Sequence, residues 1–422
     1  MSKTHNNDFE FTKSKTLHTS STPAQEELDS IEYVLPVSKK KKKHKVKHHS
    51  IPDINQEAEN IEYIYAKPHS KRKKRRNKIK KVLITITCII LGFVIATAGT
   101  IFVFNEIGKS AMHDYKDMEI EPAPEIENIE DVQNSGKTIT YNGSTYAFND
   151  KVMTVVLMGI DDFKSDNPEE VIGTAGQADA IYIAVINTLD NKVSLLGVSR
   201  DTMADVSVYN IDGEFVKNSN MQICLSYAYG DGKHSSCENT ISSLERLFYG
   251  MQFNTYFSFN KEAVSTLTDT IGGVTLTSDI DFDSKYYGRT IQKGETFTLH
   301  GDDANQYIRA RDIDELDSNN DRMARQKQFM TAFFSQIWGS VKSNPALVVD
   351  LYNTVDDYST TNLTTAKMTY LATTAISGLN SYQDIEFINV PGTIQKGEYA
   401  ELIVDQNALM EIILDLFYVK VK

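Results

Sequence analysis

The chain has 422 residues, 41% of them hydrophobic and 24% charged, with a formal net charge of −13. That mean conceals an asymmetry: residues 1–81 carry 20 basic and 10 acidic side chains, residues 105–422 carry 24 and 47, and the 23 residues between carry no charge. One uniform soluble domain is therefore excluded, while one large domain with attachments fits the length.

Residues 1–70 are polar, rich in Ser, Thr, Lys and His, and lack periodicity, which predicts a disordered tail. Its run KKKKKHKVKHH (39–49) reads as a solvated segment touching anionic lipid headgroups, with nucleic-acid binding as the alternative. KRKKRRNKIKK (71–81) then leads into VLITITCIILGFVIATAGTIFVF (82–104). About 20 apolar residues cross a hydrocarbon core, and positive flanks stay cytoplasmic. A signal peptide would have a shorter apolar region nearer the N-terminus. The expectation is a single-pass cell-membrane protein: a basic cytoplasmic tail (1–81), a transmembrane helix (82–104), an acidic extracellular stalk (105–137) and an extracellular domain (138–422). Nucleic acid is not among its expected partners.

Residues 138–148 alternate around Asn142-Gly143, a hairpin signal. Three Val- and Ile-rich runs follow at 154–160, 180–187 and 192–199, bounded by Asp161, Asp179 and Arg200-Asp201. The short polar link at 188–191 predicts a hairpin between the last two runs. Pairing Asn187 with Lys192 then sets Asp179 opposite Arg200 at one sheet end. An ordinary edge-of-sheet salt bridge is the alternative to a functional pair. Residues 205–220 read as a loop, 238–249 as a helix, 254–259 as a strand, and 260–271 as a helix capped by Asn260. A strand follows at 274–277, and 304–311 is ambiguous. Helices are expected at 321–338, 346–352 and 364–376, a strand at 385–390, and a final helix at 406–417 capped by Asp405. This alternation predicts an α/β fold, a three-layer α-β-α domain with a mixed central sheet.

Two arginine groups lie far along the chain from Arg200. Arg309 and Arg311 share a face if extended and diverge if helical. In DRMARQ, Arg322, Arg325 and Gln326 stand at i, i+3 and i+4, on one face of a first helical turn. Arginines there work against the helix dipole, which suits a bound phosphate. Arginines neutralised by Asp312, Asp314 and Asp317 are the ordinary alternative. Asp161 and Asp179 offer oxygen ligands for a hard cation such as Mg²⁺ or Mn²⁺. A divalent cation with arginines is equipment for phosphoryl transfer. Nucleophile-elbow, zinc-protease and P-loop motifs are absent, and His234 and His300 are isolated. Cys224 and Cys237 are thirteen apart in the outer domain, where a disulfide would stabilise by about 3 kcal/mol; two unpaired thiols are the alternative.

VVLMGID, QADAIYIAVIN, VSLLGVSRDT, SYAYGDG, IGGVTL, YIRAR and DRMARQ, in that order, resemble the LytR-CpsA-Psr family of bacterial cell envelopes. The resemblance spans about residues 151–337. It implies a layered α/β domain with an apolar tunnel. It also implies a metal-dependent phosphotransferase, moving a glycopolymer (teichoic acid, capsule or another wall polysaccharide) from a polyprenyl-pyrophosphate carrier to peptidoglycan. By position it makes Asp161 and Asp179 metal ligands, and Arg200, Arg309, Arg311, Arg322 and Gln326 pyrophosphate contacts, with Arg325 beside them. Asp201 or a metal-bound water is the candidate proton acceptor. The family pattern usually has Arg and Ser where this chain has Gln177 and Ala178, and Lys217 is the nearest match to its usual lysine. A non-catalytic envelope scaffold binding anionic polymer or lipid, and a polyprenyl-pyrophosphate hydrolase, are the rival readings.

Overall fold

The Val- and Ile-rich runs form the centre of a six-stranded sheet in the computed structural model, which describes residues 71–421 except 116–117, 124, 162–171, 254, 312–314, 316–317, 345 and 379–380. The basic tail through residue 70, and the acids at 312, 314 and 317, lie outside the described residues. The central strands are β1 (Val152–Ile160), β2 (Ala178–Asn187), β3 (Lys192–Val198), β4 (Tyr256–Phe259), β5 (Ser359–Thr361) and β6 (Ile385–Asn389). Their order is β5-β4-β1-β2-β3-β6. β2 runs antiparallel to both β1 and β3, and β5 antiparallel to β4, whereas β4 and β6 join β1 and β3 in parallel, so the sheet is mixed as expected.

Alternating side chains give the sheet two covered faces. Val156, Met158, Ile181, Ile183, Val185, Leu196 and Val198 meet helices α2 (His234–Leu247) and α8 (Gln406–Phe417) in the main core. Each fully buried Ile in that layer stabilises by about 2 kcal/mol. On the opposite face Met153 and Val155 pack with Tyr370 of α7 (Thr365–Gly378). Helices α3 (Lys261–Thr270), α4 (Gly301–Arg309) and α5 (Ser318–Ser343) share a smaller core with a two-stranded ribbon, Val274–Thr277 and Thr296–Leu299. Helix α6 (Leu347–Val355) adjoins them, with Tyr352 edge-on to Phe257. Asn260 and Asp405 cap α3 and α8 as expected, accepting from the N–H groups of Ala263 and Ala408.

Helix α5 sits directly on β3. A Cβ at Gly197 would lie 2.6 Å from Asn389 Oδ1 and 2.8 Å from Met323 Cε, so a larger residue would have to displace these side-chain ends for α5 to keep its approach. The approach sets the first turns of α5 over the ends of β2 and β3.

Several expectations are corrected. Residues 205–220 are no loop: Met203–Tyr209 and Phe215–Gln222 form a hairpin whose second strand is mostly exposed, which removed the apolar signal. Residues 304–311 are helical through Arg309. The segment at 105–137 is no stalk, because Met118, Ile120 and Ile126 enter the main core and Ile129–Gln133 pairs with Thr138–Tyr141. Residues 82–104 lie within helix α1 (Lys71–Met112), and their described large apolar side chains are exposed. Among the described residues no helix is long and apolar enough to cross a membrane. At its C-terminal end α1 packs on α7, where Thr373 donates to Asn105 at 2.8 Å.

Candidate active site

β1 and β2 pair residue for residue from Val152↔Asn187 to Gly159↔Ala180, and then Ile160 pairs with Ala178. Asp179 is therefore the extra residue of a β-bulge. The bulge breaks the two-residue alternation. Ala178 and Ile181 both enter the main core, while Asp179 and Ala180 both border a cavity on the opposite face.

β2 and β3 pair with Asn187↔Lys192 and Ile181↔Val198, the register expected from the sequence. Continued past the strand ends, it brings Arg200 to Asp179, and Arg200 Nη1 donates to Asp179 Oδ1. The same guanidinium donates through Nη2 to Gln177 Oε1, and its Nε lies 3.6 Å from Asp201 Oδ1. One planar fork is thus held by three side chains, a geometry an ammonium group cannot reproduce.

Arg322 reaches Asp179 from α5. Its Nη2 donates to the Asp179 carbonyl at 3.1 Å, and its Nη1 lies 3.4 Å from Asp179 Oδ2. Asn319 orients this contact by accepting from Arg322 Nη2 and donating to Ser199 Oγ at 2.7 Å. Gln326, one turn on, accepts from the buried Tyr182 hydroxyl at 3.0 Å. Arg325 is the correction. Its guanidinium turns to other partners: it donates to the Ala310 carbonyl and faces Asp279 at 3.9 Å. It ties α5 to the end of α4 and does not line the site. Because α5 starts at Ser318, Arg322 also sits one turn later than expected.

Asp161 follows β1, and its Oδ1 accepts from the Gln177 N–H at 2.5 Å. Burial pushes its carboxyl above the ordinary value, Gln177 opposes this, and the charge of Asp179 adds to the rise. Asp201 is 6% exposed, and burial pushes it up too, against the attraction of Arg200. Gln222 Nε2 donates to Asp201 Oδ1 at 3.2 Å.

Two cavities meet at this cluster. One, of about 130 Å³, is lined by Leu157, Val264, Ile308, Phe329 and Met330, with Asp161, Asp179, Arg309, Arg322 and Gln326 among its polar residues. The other, of about 400 Å³, is polar and takes in Arg200, Asp201 and Arg311. Arg309 borders the first and Arg311 the second, and both also line a third cavity of about 780 Å³.

Asp161 and Asp179 border the same cavity with hard oxygen donors, and each raises the other's negative potential. They fit a cation of the Mg²⁺ kind, which takes one or two carboxylates and completes its shell with phosphate and water. Among the described residues no group of three or more His, Cys, Asp or Glu is placed to hold a metal. The Cys224–Cys237 disulfide is not formed. Both are free, buried thiols, Cys224 lying 3.8 Å from Gln177 Oε1.

Sequence reasoning passed over Gln177, Tyr182 and Gln222. Gln177 stood out only as a departure from the family pattern, and the other two gave no local signal.

The chain belongs to the LytR_cpsA_psr family, whose model matches residues 120–416. Over 295 residues it is 26% identical to the polyisoprenyl-teichoic acid–peptidoglycan teichoic acid transferase TagU of Bacillus licheniformis, covering 69% of this chain and 81% of that protein. TagU of Bacillus subtilis is also 26% identical, over 293 residues and the same shares of each chain. Among solved structures, B. subtilis TagV aligns with a TM-score of 0.50 and 20% identity, over 63% of this chain and 96% of that one. Protein gbs0355 from Streptococcus agalactiae gives 0.50 and 18%, over 64% and 91%. These two likenesses show the shared fold.

Proposed function

We propose that this chain is a membrane-anchored phosphotransferase that moves a glycopolymer from a polyprenyl-pyrophosphate carrier to peptidoglycan. The observation that carries the reading is the pairing of Asp179 with both Arg200 and Arg322 at the polar end of an apolar cavity. An isoprenoid chain needs an apolar slot, its pyrophosphate needs cations, and this geometry supplies both within one turn of α5. The named activity of the TagU relatives supports the same substrate class. The uncharged helix at 82–104, preceded by KRKKRRNKIKK, supports an anchor with the domain outside the cytoplasm.

The chain's residues divide the work. Arg200, Arg309 and Arg322 bind the pyrophosphate oxygens and neutralise the charge that develops on them. Arg311 extends that charge toward the polar cavity. Tyr182 fixes Gln326 beside the phosphate position. The acceptor hydroxyl oxygen bonds to the glycan-linked phosphorus, and the phosphorus–oxygen bond to the lipid phosphate breaks. The electron pair of that bond leaves with the lipid phosphate. Asp201, raised by burial and next to Arg200, takes the hydroxyl proton. Asp161 and Asp179 would hold a divalent cation such as Mg²⁺ or Mn²⁺, which when bound supplies further positive charge to the phosphates.

The test uses the full chain in detergent, a short polyprenyl-pyrophosphate-linked glycan and peptidoglycan fragments. Glycan joined to peptidoglycan, and lost in Arg200→Ala, is the expected result. Binding of both partners without any turnover would overturn the reading.

A further inference from the structure

Resting on the transferase reading, the geometry points to the cavity of about 400 Å³ as the acceptor-glycan site, with Tyr399 as the platform on which a pyranose ring stacks.

Phosphoryl transfer proceeds by in-line displacement. The attacking and leaving oxygens of a phosphoryl transfer lie on opposite sides of the phosphorus. The lipid phosphate leaves toward the apolar cavity, so the acceptor hydroxyl enters from the other side of the arginines. The two cavities share no lining residue. Asp179 borders one, Arg200 borders the other, and the two side chains are ion-paired, so the two cavities adjoin at this pair. The polar cavity is the one that contains Asp201.

One wall of that cavity is the turn of a hairpin, Gly392–Lys396 with Ala400–Val404. The hairpin is fastened to Asp201 itself: the Leu402 N–H donates to the Asp201 carbonyl at 2.8 Å. Gln222 Nε2 bridges the Ala400 carbonyl at 2.7 Å and Asp201 Oδ1 at 3.2 Å. The turn is therefore held at a fixed place beside the proton acceptor. Tyr399, on that turn, is 68% exposed. A single exposed aromatic is ordinary on a surface; this one lines the cavity with Arg311 and Lys396 as donors and Glu315 and Glu398 as acceptors, a mixed set of the kind that hydrogen-bonds the hydroxyls of a glycan. An aromatic face covering the C–H face of a sugar, with polar donors at its edges, is the expected lining for such a strand.

The test compares the full-length wild type with Tyr399→Ala and Tyr399→Trp. Transfer is followed against acceptor and against donor concentration, and binding of labelled, lipid-free peptidoglycan disaccharide-peptide is measured without donor. Tyr399→Ala is expected to raise the acceptor KM and the glycan Kd about tenfold. The donor KM should not move, and Tyr399→Trp should restore both acceptor values. Because the side chain is exposed, neither variant should alter folding. An unchanged acceptor KM, or a matching rise in donor KM that puts the donor's sugars in this cavity, overturns the inference while leaving the transferase reading intact. If the wild type transfers nothing, that reading fails, and Tyr399-dependent glycan binding still upholds the cavity as a glycan site.

Discussion

Arg322 Nη1 lies 3.4 Å from Asp179 Oδ2, although 143 residues separate the two in the chain. Arg322 is 3% exposed, and burial pushes its guanidinium below the ordinary value against the pull of Asp179. Removing Asp179 leaves the buried Arg322 charge without its counterpart, whereas removing Arg322 leaves Asp179 paired with Arg200. Arg322→Ala is expected to destabilise the domain by about 1–3 kcal/mol, from the lost charged hydrogen bonds, and to abolish transfer. Arg200→Ala should lower kcat by about 10²- to 10³-fold. Denaturant midpoints and single-turnover rates on the two variants check both expectations, and full activity in either one would remove the arginine cluster from the chemistry.

Asp201 sets a pH dependence of stability. Its carboxyl sits above the ordinary 3.8, because burial outweighs the attraction of Arg200. The folded chain therefore keeps a proton that the unfolded chain releases. The stability this contributes is complete below the unfolded pKa and is lost as pH rises through the higher folded value. Asp201→Asn should lose less stability than wild type as pH rises from below the ordinary carboxylate value through the raised folded one. Parallel midpoint curves for the two proteins would contradict it.

Arg325 predicts a different phenotype from Arg322, three residues away. It holds the Ala310 carbonyl and faces Asp279. Arg325→Ala should lower stability by about 1–3 kcal/mol, from the hydrogen bond and the carbonyl left unpaired. At a temperature where the variant is fully folded, its kcat should be within about twofold of wild type. A large kcat loss in folded protein would return Arg325 to the site.

Cys224 and Cys237 are buried free thiols, and burial pushes them up to about 11 and about 12. Thiol reagents should label neither in the native protein at neutral pH and both after unfolding. Reductant should leave Tm unchanged. A Tm drop of several degrees on reduction would mean that a bridge had formed after all.

The sheet was legible where local pattern and register decide the outcome. The four-residue link at 188–191 fixed the pairing of Asn187 with Lys192, and that alone brought Arg200 to Asp179. Asn260 and Asp405 were readable because capping is local. Arg325 was not, because its partners lie on α4 and on a loop near Asp279 whose positions depend on packing. The hairpin at Phe215–Gln222 was missed because an exposed strand leaves no apolar alternation to read. The segment at 105–137 looked like a stalk by its acidity, yet its buried residues Met112, Tyr115, Met118, Ile120 and Ile126 fall in no single helical or strand period that would register as an element. Gln177 could be seen only as an exception, and its meaning needed the positions of Asp161 and Arg200 together.

The bulge at Asp179 makes the site sensitive to the count of residues rather than their kind. Ala178 pairs with Ile160 and Ala180 with Gly159, so β2 spends one residue more than β1 over this step. Many substitutions around it can be absorbed by repacking. A loss of a single codon between 177 and 180 cannot, because it either restores the regular ladder without the carboxylate or carries the carboxylate to the far side of the pleat. Insertions and deletions here should be all-or-none events, and in a comparison of family sequences this is the place where a one-residue gap in an alignment would move the predicted site onto the wrong residue.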